Sequence, residues 1–68
     1  MNKFGERLRE LRIDNGYSRA QLATNLNVSA RLIAYWENGQ RECSFDALIN
    51  IAEFFGTSTD FILGKSDY

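Results

Sequence analysis

The chain has 68 residues, 44% of them apolar and 13% aromatic, which is enough for one small domain with a hydrophobic core. It contains no run of about 20 apolar residues and no apolar leader near its first residue, so we expect a cytoplasmic protein without a membrane span. The single cysteine and the lack of histidine exclude a disulfide framework and a structural zinc site, and no residue pattern calls for a metal or other cofactor.

The formal net charge is −1, but the charges are unevenly distributed along the chain. Residues 17–41 carry three arginines against one acidic residue, whereas residues 42–68 carry one lysine against five acidic residues. The sequence is therefore polarised into a weakly basic middle and an acidic C-terminal part.

The first predicted helix runs from about Lys3 to Asp14 and is closed by Gly16, because glycine readily takes the left-handed conformation that ends a helix. Its core side is a stripe of apolar residues at helical spacing, namely Phe4, Leu8 and Leu11.

The second predicted helix begins after Ser18 and ends near Leu26. The Ser18 hydroxyl can accept a hydrogen bond from the backbone N–H three residues on, and the Gln21 side chain can reach back to Ser18. This reciprocal arrangement is a capping box, which is typical of a helix start.

Three further helices are predicted, each opened by a serine that caps its first turn and closed by a glycine. The serine and glycine limits are Ser29 and Gly39, Ser44 and Gly56, and Ser58 and Gly64. No convincing strand pattern is present, so we expect an all-α fold with five helices.

The stretch from Arg19 to Asn38 is the most informative part of the sequence. Its apolar spacing breaks at residues 27–29 and restarts, which one amphipathic helix does not explain but two short helices at a steep angle do. The small Ala23 permits a close crossing, and Asn27 tolerates the positive φ that the turn needs. Two ordinary amphipathic helices are the alternative, but order and spacing together favour a helix-turn-helix, whose second helix can enter a DNA major groove.

Short motifs elsewhere in the chain carry a second signal. They are GERLR at 5–9, GYS at 16–18, QLA at 21–23, VS at 28–29, WENG at 36–39 and DFILG at 60–64. With these motifs the chain resembles the Cro and phage-repressor type of helix-turn-helix protein, also called the XRE family. The resemblance covers residues 4–64 and implies a compact five-helix bundle of the lambda-repressor type. We expect a single domain over 1–68, with the helix-turn-helix at 19–38.

Three positions depart from the family pattern. Asn27 stands where glycine is usual, and Cys43 stands where proline is common; we expect Cys43 to lie exposed in a loop and assign it no role. Arg19 stands where glutamine is usual, which suggests a charged contact with a DNA phosphate in place of the family's usual contact.

The resemblance implies a sequence-specific regulator of transcription, most simply a repressor that binds a palindromic operator in double-stranded DNA as a homodimer. Its base contacts are expected from the third helix, at Ala30, Arg31 and Tyr35. Arg31 is the first candidate, because arginine can donate two hydrogen bonds to guanine O6 and N7. The alternatives are a solvated surface charge at Arg31 and no base contact at Tyr35.

Contacts with the DNA backbone are expected on both sides of the third helix, with the acidic C-terminal part facing away from the DNA. Arg19 lies before that helix at the start of the second, and Asn38, Gln40 and Arg41 follow it. Ser29 is a further candidate, although capping of the third helix is the safer role for its hydroxyl.

Two more sets of residues are assigned structural or assembly roles. The resemblance implies a mostly buried salt bridge between Arg12 and Glu37, which we interpret as structural rather than catalytic. Phe61 and Leu63 are expected to face the core, which leaves three apolar residues off the core stripes of the last two helices. These residues, Ile49, Phe54 and Ile62, predict a two-fold dimer contact, with core filling as the alternative.

Other functions are considered beside the regulator. An antitoxin or another protein-interaction module would bind a partner protein, and a protein antagonist could also control DNA binding. An enzyme is rejected, because the sequence has no histidine, glycine-rich phosphate loop or metal-ligand cluster. Neither a small-molecule substrate nor a membrane partner is expected.

Overall fold

The computed structural model describes residues 2–67, and five α-helices lie within them. In chain order they are α1 (Phe4–Asp14), α2 (Arg19–Leu26), α3 (Ala30–Glu37), α4 (Phe45–Phe55) and α5 (Thr59–Leu63). The described residues form no β-strand, so the all-α, five-helix prediction is confirmed. Within the same residues, no helix has the length and apolar character needed to cross a membrane.

Serine side chains begin α2 to α5, as predicted. Each hydroxyl accepts a hydrogen bond from the backbone N–H three residues on, at 3.0–3.1 Å. At α2 the Ser18 N–H also donates to Gln21 Oε1 at 2.8 Å, which completes the predicted capping box. At α1, which no serine precedes, Asn2 Oδ1 accepts from the Phe4 N–H at 3.0 Å.

Left-handed backbone follows every described helix, at Asn27 after α2 and at a glycine after each of the others. Asn27 has φ 61° and ψ 43°, a conformation that asparagine tolerates better than most residues. The Val28 N–H then donates to the Ala23 carbonyl at 2.9 Å and closes the turn between α2 and α3. The prediction that Asn27 can replace the usual glycine in this turn is therefore confirmed.

A single core lies between the helices. The α2 and α3 helices pack on each other, α1 packs on α3 and α5, and α4 packs on α5 and α2. The rings of Phe4 and Trp36 meet edge to face, with 5.9 Å between their centroids. The buried apolar residues are Phe4, Leu8, Leu22, Ala23, Ile33, Trp36, Ile51, Ala52 and Ile62.

One core residue differs from its predicted role. Ile62 has no exposed surface and belongs to the core, so its assignment to a dimer surface was wrong. The neighbouring Phe61 is only half-buried, and the Arg7 guanidinium lies 4.3 Å from its ring centroid. The α5 helix has five residues, which is too short for an apolar period to show which side faces the core.

A close approach of α1 to the end of α3 depends on Gly5. A Cβ atom at Gly5 would lie 2.6 Å from the Trp36 carbonyl oxygen and 2.9 Å from that of Glu37. Because both neighbours are backbone atoms, neither can move away without shifting a helix. Glycine is therefore required here for packing rather than for its conformational freedom.

We expect Gly5→Ala to destabilise the fold by about 1–3 kcal/mol, the usual cost of overpacking. Helix propensity alone would predict the opposite effect on stability, because it favours alanine over glycine by about 1 kcal/mol at an unhindered helical position. Urea unfolding measures the difference, with Glu10→Ala on the exposed side of α1 as the control, expected within about 0.5 kcal/mol of the original chain. A Gly5→Ala protein as stable as the original would contradict the close approach.

Candidate nucleic-acid interface

The α3 helix has one buried and one outward side. Ile33 and Trp36 are buried, whereas Ala30 and Arg31 are exposed and Tyr35 is half-buried. At 100° per residue, positions 30, 31, 34 and 35 share one side of the helix, opposite the core. The structure thus brings the three predicted base-contact residues together on one surface.

Exposed polar residues follow the end of α3. The Gln40 N–H donates to the Tyr35 carbonyl at 2.9 Å, so the chain turns back directly after the helix. Asn38, Gln40 and Arg41 are all exposed there and available to an external partner. At the other end of the helix, Ser29 Oγ accepts from the Leu32 N–H at 3.0 Å, which assigns its hydroxyl to capping.

The carboxylate of Glu37, at the last residue of α3, is held by an arginine from α1. Arg12 Nε donates to Glu37 Oε2 at 2.6 Å and Arg12 Nη2 donates to Oε1 at 3.2 Å, a two-pronged ion pair. The Glu37 side chain has no exposed surface, and that of Arg12 is 12% exposed. Arg12 Nη1 also donates to the Tyr17 carbonyl at 3.1 Å, so one guanidinium joins α1, the loop before α2 and the end of α3.

Arg19 also binds Glu37, a contact that was not predicted from the sequence. Its Nε donates to Glu37 Oε1 at 3.1 Å, and its side chain is 41% exposed. The sequence carries only a weak signal for this pair, because the helix dipole disfavours a cation in the first turn by about 0.3–1 kcal/mol, which an acidic partner would offset. Since Arg19 and Glu37 are 18 residues apart, the sequence alone does not show which acidic residue that is.

The exposed apolar residues of α4 divide into two places. Phe45 and Ile49, at 85% and 48% exposure, are four residues apart and share one side of the helix. Phe54 is 37% exposed and packs instead against the rings of Tyr17 and Phe55, at 5.6 Å and 5.0 Å between centroids. Phe45 was not among the predicted residues, although it directly follows the capping serine of α4.

Cys43 lies outside this surface and is half-buried against the core, in contrast to the exposed position expected from the sequence. Burial raises the pKa of its thiol, and the adjacent Glu42 charge acts in the same direction. The thiol is therefore protonated at neutral pH and has little nucleophilic character.

Comparison with known proteins relates this geometry to one family. A family model described as helix-turn-helix matches residues 8–62. The chain is similar to the HTH-type transcriptional regulator ImmR of Bacillus subtilis (strain 168), with 32% identity over 64 residues, which cover 94% of this chain and 50% of ImmR. The chain thus spans half the length of that relative.

Solved structures share the fold at comparable identity. The P22 c2 repressor, crystallised with a synthetic operator, has a TM-score of 0.87 and 26% identity, covering 97% of this chain and 100% of that one. Hydroxypropylphosphonic acid epoxidase from S. wedmorenis has a TM-score of 0.82 and 32% identity, covering 91% of this chain and 33% of the enzyme. The same helical arrangement therefore occurs in an operator-bound repressor and as a part of a larger enzyme.

The two arginines at Glu37 are expected to differ in their effect on stability. Arg12→Met should cost up to about 3–5 kcal/mol, because it removes both hydrogen bonds of the two-pronged pair and leaves the buried carboxylate with only the partly exposed Arg19 as a partner. Arg19→Met should cost about 0–1 kcal/mol, because Arg19 is partly exposed and Arg12 still holds the carboxylate. Urea unfolding of both variants measures the two losses, and equal losses would contradict the unequal roles described above.

Proposed function

The chain belongs to the helix-turn-helix family, and from that premise we propose that it regulates transcription by binding a palindromic operator in double-stranded DNA as a homodimer. The observation that carries this proposal is the outward side of α3, where Arg31 is exposed while the opposite side is buried in the core. We propose further that the protein is a repressor without catalytic activity, present in the cytoplasm with the DNA it binds. The likeness to an operator-bound repressor over 97% of the chain supports this choice.

Sequence recognition is proposed to come from α3 in the major groove, which admits an α-helix. Arg31 donates to guanine O6 and N7, Ala30 packs on a thymine methyl group, and Tyr35 donates from its hydroxyl to a base or a phosphate. Arg31 has the leading role, because a two-pronged contact with guanine discriminates against other bases by about 1–3 kcal/mol.

Contacts with the DNA backbone are proposed to orient α3 in the groove. Asn38, Gln40 and Arg41 form one set of contacts after the helix, and Arg19 forms another before it. Ser29, which is exposed, is a further proposed contact, although its hydroxyl also caps α3. The acidic residues of α4 and α5 are proposed to face away from the DNA, where they cause least repulsion.

The dimer contact is proposed to lie on α4. Phe45 and Ile49 offer one apolar surface on the same side of α4, whereas Phe54, nine residues after Phe45, lies on the opposite side of the helix and packs against Tyr17 and Phe55. A two-fold dimer would place two α3 helices about 34 Å apart, in successive major grooves on one side of the duplex. The same apolar surface would suit a protein antagonist that separates the two copies.

Arg31→Ala should lower affinity for a site selected from random DNA by about 1–3 kcal/mol, with a smaller effect on unselected DNA. Fluorescence anisotropy with both duplexes at one fixed salt concentration measures the two losses. Arg41→Ala is the matched control, because loss of a phosphate contact should weaken both duplexes alike. An equal loss on both duplexes for Arg31→Ala would exclude base recognition by this residue.

A Phe45→Ser, Ile49→Ser double variant should raise the dissociation constant of the dimer at least about tenfold, because each side chain loses an apolar contact worth more than about 1 kcal/mol. Sedimentation equilibrium measures the association. Ile13→Ser, at a residue that is 53% exposed on α1, is the control and should leave association unchanged. If the double variant associates as the original chain does, the dimer contact lies elsewhere.

A further inference from the structure

We propose that Glu37 is a positioning residue for DNA binding. Its carboxylate accepts a hydrogen bond from Arg19 Nε and so fixes the guanidinium, whose outer N–H groups then donate to a DNA phosphate. This inference rests on the proposed DNA-binding function. It differs from a free surface charge at Arg19, because it requires one guanidinium to bind a buried carboxylate and an external phosphate together.

The charges at Glu37 do not cancel. The single carboxylate of Glu37 faces two guanidinium groups, Arg12 Nε at 2.6 Å and Arg19 Nε at 3.1 Å, which leaves one positive charge in excess. Arg12 is nearly buried, and its Nη1 is used by the Tyr17 carbonyl at 3.1 Å. The excess charge therefore reaches solvent at Arg19, whose side chain is 41% exposed.

Stability alone does not explain an arginine at this position. Arg19 is the first residue of α2, where the helix dipole favours an acidic side chain, and the first turn of α2 contains none. The buried Glu37 carboxylate already accepts two hydrogen bonds from Arg12. Arg19 thus lies where the helix dipole disfavours a cation, and it binds a carboxylate that Arg12 already neutralises. A DNA phosphate that approaches Arg19 from solvent would explain why an arginine occupies this position.

The guanidinium group has the shape for two anions. It is planar, carries five N–H donors, and can present separate edges to separate oxygen acceptors, whereas the lysine ammonium acts as a single point charge. With Nε fixed on Glu37, the outer edge of Arg19 is already oriented before DNA arrives. Orientation in advance reduces the side-chain entropy that binding would otherwise cost.

The arrangement also connects the phosphate contact to recognition. Glu37 is the last residue of α3, so a phosphate bound by Arg19 is linked through one carboxylate to the helix that carries Arg31. The position of α3 relative to the DNA backbone would then be set by a rigid connection rather than by a flexible side chain.

The experiment measures the affinity of the full chain for a selected and a random duplex over a series of salt concentrations. Arg19→Ala should weaken binding to both duplexes roughly eightfold at about 0.1 M salt and lower the slope of log K against log salt by about one, as expected for one lost phosphate contact. Arg19→Lys should keep the slope but recover only a minor part of the affinity. Lys65→Ala, in the acidic part of the chain, should change neither quantity.

A double-mutant cycle tests the role of Glu37 directly. Glu37→Gln should weaken DNA binding more in the original chain than in the Arg19→Ala background, where only the altered contact of residue 37 with Arg12 remains. Thermal unfolding confirms that each compared variant is folded. If Glu37→Gln does not fold, the Arg19→Lys result decides alone, since a structural role predicts no difference between lysine and arginine in DNA affinity.

Three results would overturn the proposal. If Arg19→Ala leaves affinity and salt slope unchanged, Arg19 makes no contact with DNA. If Arg19→Lys restores the full affinity, Arg19 acts as an unpositioned surface charge. If Glu37→Gln binds DNA more tightly, the carboxylate competes with the phosphate for Arg19. In each of these cases the original chain still binds DNA, and Arg31→Ala still reduces its preference for the selected duplex. A chain that selects no DNA sequence at all would instead contradict the proposed function itself.

Discussion

The buried carboxylate of Glu37 is the constraint on which the arrangement of α1, α2 and α3 depends. It accepts hydrogen bonds from Arg12 on α1 and Arg19 on α2, and it belongs to the last residue of α3. A buried ion pair adds little net stability compared with apolar packing, but it permits few alternative geometries because an unpaired buried charge is very costly. Its main effect here is to determine how α3 is presented to solvent.

The close contact at Gly5 and the ion pair at Arg12 work together. These two residues are seven positions apart on α1 and therefore lie on the same side of the helix, two turns from one another. Gly5 lets the α1 backbone approach the end of α3 so closely that a Cβ atom at this position would lie only 2.6 Å from the Trp36 carbonyl oxygen. Arg12 then reaches the Glu37 carboxylate at 2.6 Å. Backbone proximity and charge pairing thus define the same crossing of the two helices.

Features set by neighbouring residues were predictable from the sequence, whereas among the distant pairs only that of Arg12 with Glu37 was expected, and it was expected from the family resemblance. Serine caps, the capping box at Ser18 and the left-handed Asn27 follow from local chemistry, and the structure contains them. On α5 the predicted inward Phe61 and Leu63 do pack against the core, but Ile62 is fully buried between them and its assignment to a dimer surface was wrong, because five residues do not define an apolar period. The pair of Arg19 with Glu37 required knowledge of the fold, since α2 and the end of α3 meet only after the chain turns.

The most direct test of the proposed binding mode is a crystal structure of the chain bound to a DNA duplex selected from random sequence. We predict α3 in the major groove with Arg31 at a base edge. We also predict Arg19 within hydrogen-bond distance of both a phosphate oxygen and the Glu37 carboxylate. A complex in which α3 faces away from the DNA, or in which Arg19 leaves Glu37 to reach the phosphate, would contradict this binding mode.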